Sequence, residues 1–311
     1  LLLATSGQGR DSEAFNTLLR CEQEHLQKMQ NVHDYWHLTL NFSEIMQAQP
    51  DGDDGKPAKP ALLQDKSCAL TLAAKILYFY NLQIYSFYTK NNAAVEGISD
   101  QLIALIESQP HSISENPVSY ITALNNKIGL CLQLKKFEMI PPLLAKIRAI
   151  PQKYGLKPQS PIAMKAVLQT YNVELEMYRD TGDADAGLAR VAEIEALLAH
   201  SRSAIPTDYV ILLSYQIAYL YFMKKAYRRA LHWLNGLLNQ NFGTIREDIQ
   251  SYTQLLNLII HFELGNITVL KYAVESCRRF LYLIWELQSF EKVLLRFFSK
   301  LSLAHRDSQR R

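Results

Sequence analysis

The sequence predicts an all-α chain assembled from consecutive antiparallel helix hairpins, and three observations point there. Gly (12) and Pro (11) are scarce in 311 residues, while Leu, Ala, Gln, Lys and Tyr are plentiful; this balance favours long helices over many-stranded sheets. The helix breakers are clustered, leaving helix-length segments between them whose apolar residues recur at three- and four-residue spacing. No segment reads convincingly as a strand: Leu255-Leu256-Asn257-Leu258-Ile259-Ile260 is apolar enough, but its window is too long and too free of turn residues. With 48% hydrophobic and 20% charged residues, the chain suits one large or two ordinary globular domains, and disordered or collagen-like readings are excluded.

The elements follow in order from this punctuation. A helical stretch over 11–47, read as one helix or two, precedes Gln49-Pro50-Asp51-Gly52-Asp53-Asp54-Gly55-Lys56-Pro57-Ala58-Lys59-Pro60, a flexible loop by composition. Breaks near Asn91-Asn92, Pro110 to Pro117, Pro151 to Pro161, Thr181-Gly182, Ser203 to Pro206, Asn241 to Gly243 and Gly265-Asn266 then separate further helices. These are expected over 60–90, 94–108, 116–134, 138–149, 160–180, 185–200, 206–223, 226–239, 246–263, 267–287 and 289–303, about a dozen in all. Pro141-Pro142 conflicts with a helix beginning at Phe137, because proline is tolerated only among the free N–H groups of the first turn; a late start is expected. The domains read as an N-terminal helical segment (1–48), a loop (49–60), a helical repeat domain (61–303) and a basic tail (304–311).

The hairpins repeat loosely. The clearest unit is Ser214-x2-Ile217-Ala218-x2-Tyr221-x5-Tyr227-x2-Ala230-x3-Leu234-x2-Leu237, and weaker copies are Leu130-Cys131-x3-Lys135-x-Phe137-x2-Ile140-x3-Leu144-x2-Ile147, Leu175-x2-Tyr178-x3-Gly182-x4-Gly187-x3-Val191-x2-Ile194 and Leu258-x2-His261-x3-Gly265-x-Ile267-x2-Leu270-x3-Val274-x2-Cys277. Two helices approach closely only where side chains are small, as at Ala218 and Ala230, and aromatics fill the gaps between successive hairpins. Gly182 and Gly265 fall where a left-handed backbone ends a helix. This spacing resembles a degenerate tetratricopeptide repeat over roughly residues 116–286. Taking Phe137, Ala184, Tyr227 and Ile267 as equivalent, however, the units are 47, 43 and 40 residues apart, against 34 for that family. The resemblance implies a right-handed α-solenoid with longer helices than usual.

Composition limits the function classes. A formal charge of +3 implies no polyanionic partner, although residues 271–311 hold nine Lys/Arg against four acids, +5 in all. The cysteines Cys21, Cys68, Cys131 and Cys277 form no C-x-x-C pair, so neither a disulfide framework nor a zinc ribbon is indicated and a cytoplasmic location is expected. No run approaches the 18 apolar residues of a membrane span, and Leu1-Leu2-Leu3 is too short for a signal sequence. The chain opens on Leu1 rather than Met, so a start upstream of it is expected.

Few residues offer recognisable chemistry. Cys21 with His25, and His33 with His37, each share a helix face, but His25 and His33 stand about 12 Å apart on a continuous helix, too far for one zinc unless the helix breaks near Asn31-Val32; no metal is expected. Asp51-Gly52-Asp53-Asp54-Gly55 fails the EF-hand test, having Lys56 and Leu62 where Gly and Glu are required. No G-x-S-x-G, P-loop, H-E-x-x-H or dinucleotide fingerprint occurs. The chain is therefore read as non-catalytic, without cofactor.

The remaining signal lies on the face that the tetratricopeptide resemblance implies for a concave groove. It corresponds to Thr122, Asn125, Gly129, Leu132 and Gln133 in one unit, then Gln169, Asn172, Glu176, Arg179 and Asp180, then Leu212, Tyr215, Tyr219, Phe222 and Met223. The expected function is a protein-interaction scaffold holding a peptide or partner helix, with Asn125 and Asn172 gripping backbone, Arg179 pairing a carboxylate, and Tyr215 and Tyr219 stacking. The competing reading is that neighbouring helices cover these aromatics; if Tyr215 and Tyr219 are both fully buried, the assignment fails. The alternative function is a regulatory or nucleic-acid-associated protein using the basic C-terminal helix. The apolar stripe of Val293, Leu294, Phe297, Phe298 and Leu301 is expected to pack back on the last hairpin, or else to form a homodimer.

Overall fold

The computed structural model describes residues 10–48, 59–157, 160–200, 205–284 and 289–309, which are all-helical with no strand among them. None of these helices is long and apolar enough to cross a membrane. Residues 49–58 of the loop expected over 49–60, Trp285 and the side chains of the expected basic tail lie outside the described residues; the last helix continues to Gln309. Contacts divide the chain into two compact units, residues 1–133 and 134–311.

The first unit opens with one unbroken helix, α1 (Arg10–Ala48), without the break that would bring His25 towards His33. Its C-terminal part packs on α2 (Leu72–Tyr88) through Tyr35, Leu38 and Phe42, and Tyr35 and Phe42 are among the largest fully buried side chains. The helix expected over 60–90 is shorter than the periodicity implied. Two 3₁₀ turns, Ala61–Leu63 and Lys66–Cys68, precede it, because the Asp65 side chain accepts the Ser67 amide and Thr71 caps α2 by accepting the Ala74 amide. Then come α3 (Asn92–Glu107), α4 (Pro110–Glu115) and α5 (Pro117–Gln133); α3 packs against both α2 and α5. The buried ammonium of Lys127 donates to Asp100 at 2.6 Å, tying α5 to α3.

The second unit begins with a 3₁₀ turn, Phe137–Met139, and α6 (Ile140–Lys153), which starts late enough to place Pro141 and Pro142 in its first turn, as expected. It continues through α7 (Pro161–Thr181), α8 (Ala184–Ala189), α9 (Val191–His200), α10 (Thr207–Met223), α11 (Tyr227–Leu238), α12 (Glu247–Glu263), α13 (Ile267–Ile284) and α14 (Ser289–Gln309). The segment expected as one helix over 185–200 is interrupted at Arg190. At the start of this pair, Gly187 lies so near α10 that a Cβ there would meet Leu220 Cδ1 at 2.6 Å.

Within this unit α10 packs on α7, α11 and α12, and α12 packs on α13. Successive cores share these helices. Leu213, Ile217 and Leu220 of α10 face Leu168, Leu175 and Ile194, whereas Ile211 and Ala218 join Ala230, Leu234, Leu256 and Ile260. Helix α10 is thus apolar on nearly every side because two cores claim it, while α11 buries only Ala230, Leu234 and Leu237. Helix α14 returns onto α13, and Leu295 and Phe298 join the cluster of Leu255, Leu258 and Leu270. The expected stripe packs back only in part: Phe298 is buried and Leu294 and Leu301 lie against the cluster, whereas Val293 and Phe297 are 65% and 50% exposed and Leu295 is buried in their place.

One turn recurs. Lys90, Lys135, Gly182, Lys225 and Gly265 all have positive φ, between 55° and 79°. Each stands two residues before Asn92, Phe137, Ala184, Tyr227 or Ile267, where the next helical element begins. At three of them the following amide closes the same six-residue loop: Asn91 to Ser86 O, Ala226 to Tyr221 O and Asn266 to His261 O. This pairing satisfies carbonyls that a helix end would otherwise leave free. The α2–α3 hairpin, outside the span of the sequence resemblance, carries it too.

Candidate functional site

Four of the five residues singled out by sequence lie in the second unit, on α7 and its neighbour α10. Asn172 and Arg179 stand on one helix, Tyr215 and Tyr219 on the other. They form one network through Gln216, a buried residue that the sequence reading passed over. Arg179 Nη1 donates to Gln216 Oε1 at 3.1 Å, Gln216 Nε2 donates to Asn172 Oδ1 at 3.5 Å, and the Arg179 guanidinium lies 5.9 Å from the Tyr219 ring centroid. Nearby, the Tyr209 hydroxyl donates to Gln169 Oε1 at 3.0 Å.

An aromatic row leads away from this network. Tyr215 meets Tyr219 at 6.1 Å and Tyr252 of α12 at 6.4 Å, and Tyr219 meets Phe222 edge-on at 5.9 Å, separations at which rings attract through their quadrupoles. The members differ in access. Tyr215 is only 9% exposed, and burial pushes its hydroxyl pKa well up, reinforced by Tyr219 and opposed by Arg179. Tyr219 is half-buried and Tyr252 is 51% exposed.

Two expected roles change with this geometry. Arg179 does not present a free fork to a carboxylate: its Nε donates to Asp180 at 2.9 Å and its Nη2 lies 3.5 Å from Glu176. Its planar cation instead bridges Gln216 and the Tyr219 face. Asn172 is buried and spends its carbonyl on Gln216. Tyr252 stood in the sequence only as one aromatic among many on a helix, a signal too common to single out; its 51% exposure belongs to the structure.

Asn125 belongs to α5 in the first unit; its Oδ1 is buried with no hydrogen-bond partner among the described residues. On the same helix Thr122 lines a cleft of about 600 Å³ walled by Trp36, Ile76, Tyr80, Ile84 and Val118. Burial pushes the Tyr80 hydroxyl up to about 12, and it donates to Ser119 O at 3.0 Å. The lining offers apolar contact and no pair of acid and base groups.

The N-terminal histidines stay apart. His25 pairs with Cys21 O, His33 meets His37 edge-on at 5.8 Å, and no group of three His, Cys, Asp or Glu able to hold a metal occurs among the described residues. Neither a protein-family model nor a curated protein matches the chain.

Proposed function

We propose that this chain is a non-catalytic interaction scaffold whose hairpins stack as a right-handed α-solenoid, similar to tetratricopeptide-repeat proteins, and hold a peptide or partner helix on a concave face. The observation that carries the reading is the continuous polar-to-aromatic row from Asn172 and Arg179 to Tyr219 and Tyr252, lying across three successive first helices of hairpins, α7, α10 and α12. The recurrent left-handed turn and the fully buried Ala218 and Ala230 between α10 and α11 support the stacked arrangement. Half-exposed tyrosines beside an arginine are favoured anchors, since they bury large areas while their polar tips stay satisfied. In this proposal Tyr219 and Tyr252 make contact, and Arg179 holds Tyr219 in place. Asn172 and Tyr215 support the row from beneath, and Asn125 acts in the first unit. The free thiols of Cys21 and Cys68 are exposed, which suits a reducing cytoplasm.

Affinity capture from the source lysate, comparing the intact protein with a Tyr219→Ala/Tyr252→Ala variant, tests this. A partner recovered by the first and lost by the second supports the site; identical partners refute it. The alternative, a nucleic-acid-associated protein, draws on the exposed Arg278, Arg279, Lys292, Arg296 and Lys300 of α13 and α14. It predicts binding to duplex DNA that weakens steeply with salt, whereas a peptide face responds mildly.

A further inference from the structure

The N-terminal portion of α1 is a helix without packing. Every described side chain from Glu13 to Gln30 is exposed, and burial begins only as the helix reaches the body of the first unit. Isolated helices of this length are marginal in water, their stability in proteins coming mainly from tertiary contact. Yet the bare segment is not polar. Phe15, Leu19, Leu26, Met29, Trp36 and Leu40 are all exposed, Leu26 by 58% and Met29 by 68%. With Glu22 and His33 they alternate at spacings of four and three residues without interruption, a heptad pattern over the 26 residues from Phe15 to Leu40, or about 38 Å of helix. The side chains that α1 buries in its own unit, Tyr35, Leu38 and Phe42, lie roughly opposite on the helical wheel. The stripe therefore needs an occupant that the unit does not supply.

The order of residues along the stripe identifies the occupant. If two copies of α1 pair antiparallel about a point between Gln27 and Lys28, Phe15 faces Leu40, Leu19 faces Trp36, Leu26 faces Met29, and Glu22 faces His33. The only two polar members of the stripe then meet each other, twice, with complementary character. The flanking positions on one side are Asn16, Gln23, Gln30 and His37; on the other they are Leu18, His25, Val32 and Thr39. None of these places like carboxylates or ammoniums opposite one another, while Arg20, Glu24, Lys28 and Asp34 lie away from the seam. Parallel pairing would instead set Glu22 against Glu22 and His33 against His33. Self-complementarity about a two-fold axis is the signature of an isologous interface.

We infer that a second copy of this chain covers the stripe, making an antiparallel two-helix coiled coil from residues 15–40 of each α1. The proposal is independent of the second unit's aromatic row and of any dimer through the C-terminal helices.

Sedimentation equilibrium of the full chain across the micromolar range tests it. The intact protein is expected as a dimer, and Leu26→Asp/Met29→Asp as a monomer that keeps its folded body, since both side chains are exposed in the single chain and only the bare part of α1 loses its packing partner. Glu22→His and His33→Glu each weaken the dimer about tenfold by setting like groups together, and the double exchange restores it. A chain that stays monomeric, including one that takes up only a different protein's helix, overturns the proposal. So does a dimer indifferent to Leu26 and Met29, an assembly larger than two, tightening by Glu22→His (the parallel outcome), or failure of the exchange to restore.

Discussion

Glu174 is a buried carboxylate held by two arginines from separate elements, and replacing it by Gln tests the packing of three helices at once. The carboxylate is buried on α7, 2.5 Å from Arg148 Nη2 of α6 and 3.4 Å from Arg190 Nε at the α8–α9 break. Arg148 also donates through Nε to Thr170 at 3.1 Å and lies over the Tyr171 ring at 5.5 Å. Arg190, whose pKa is raised chiefly by Glu174, reaches Glu193 as well. At an effective dielectric of about 20, a unit charge pair at 4 Å is worth about 4 kcal/mol, and removing one partner of a buried pair costs about 3–5 kcal/mol. Both guanidiniums keep about a third of their side-chain surface in water, 35% and 37%, so solvent offsets part of their loss. Glu174→Gln, nearly isosteric, is accordingly expected to destabilise by about 2–3 kcal/mol, read from urea unfolding followed by circular dichroism at pH 7. Replacing all three charges together by Leu, Met and Met should return most of it, because no buried charge is then left without its partner. A loss below about 1 kcal/mol for the single change would mean that the triad behaves as a surface pair and that this junction is wetter than the structure places it.

Two further predictions follow from the turns. Lys225 holds φ at 55°, a conformation costing an L-residue about 1–2 kcal/mol. Lys225→Gly should therefore stabilise by about 0.5–1 kcal/mol after the greater freedom of glycine in the unfolded chain is deducted; Gly265→Ala, where a Cβ meets nothing within 4 Å, should destabilise by about 1 kcal/mol for the same backbone reason. Thermal unfolding of both variants checks the pair. Burial depresses the pKa of His261 on α12, so the unfolded chain takes up a proton at higher pH than the folded one. Its contribution to stability is complete above the ordinary histidine range and declines as pH falls through that range towards the folded value; His261→Gln should flatten this part of the stability–pH curve, as denaturant titrations at pH 7 and 5.5 would show.

Helix identity was the most readable layer of this chain, because breakers cost helices energy wherever they stand. Gly182 and Gly265 announced two left-handed turns on conformational grounds alone. Lys90, Lys135 and Lys225 occupy the same turn without any such mark, since the strain they carry is offset by helix packing that lies elsewhere in the chain. The site divided similarly. A Tyr-rich α10 beside a polar α7 was visible as residue type, but α10 is apolar on nearly all sides, so periodicity had no means of saying which face stays wet.

The sequence by itself determined the all-helical class, the order of the helices and, through Ala218 and Ala230, where one close crossing falls, because each depends on local backbone preference or side-chain size. Only the tertiary structure decided that Arg179 is already held by Asp180, Glu176 and Gln216, that Tyr215 is covered while Tyr252 is not, and that three charges from separate elements meet at Glu174. The decisive ones, Arg179 with Gln216 and Glu174 with Arg148 and Arg190, join residues 16 to 37 positions apart. Burial and pairing are properties of what packing brings to a side chain, and a linear pattern carries no record of its neighbours across helices.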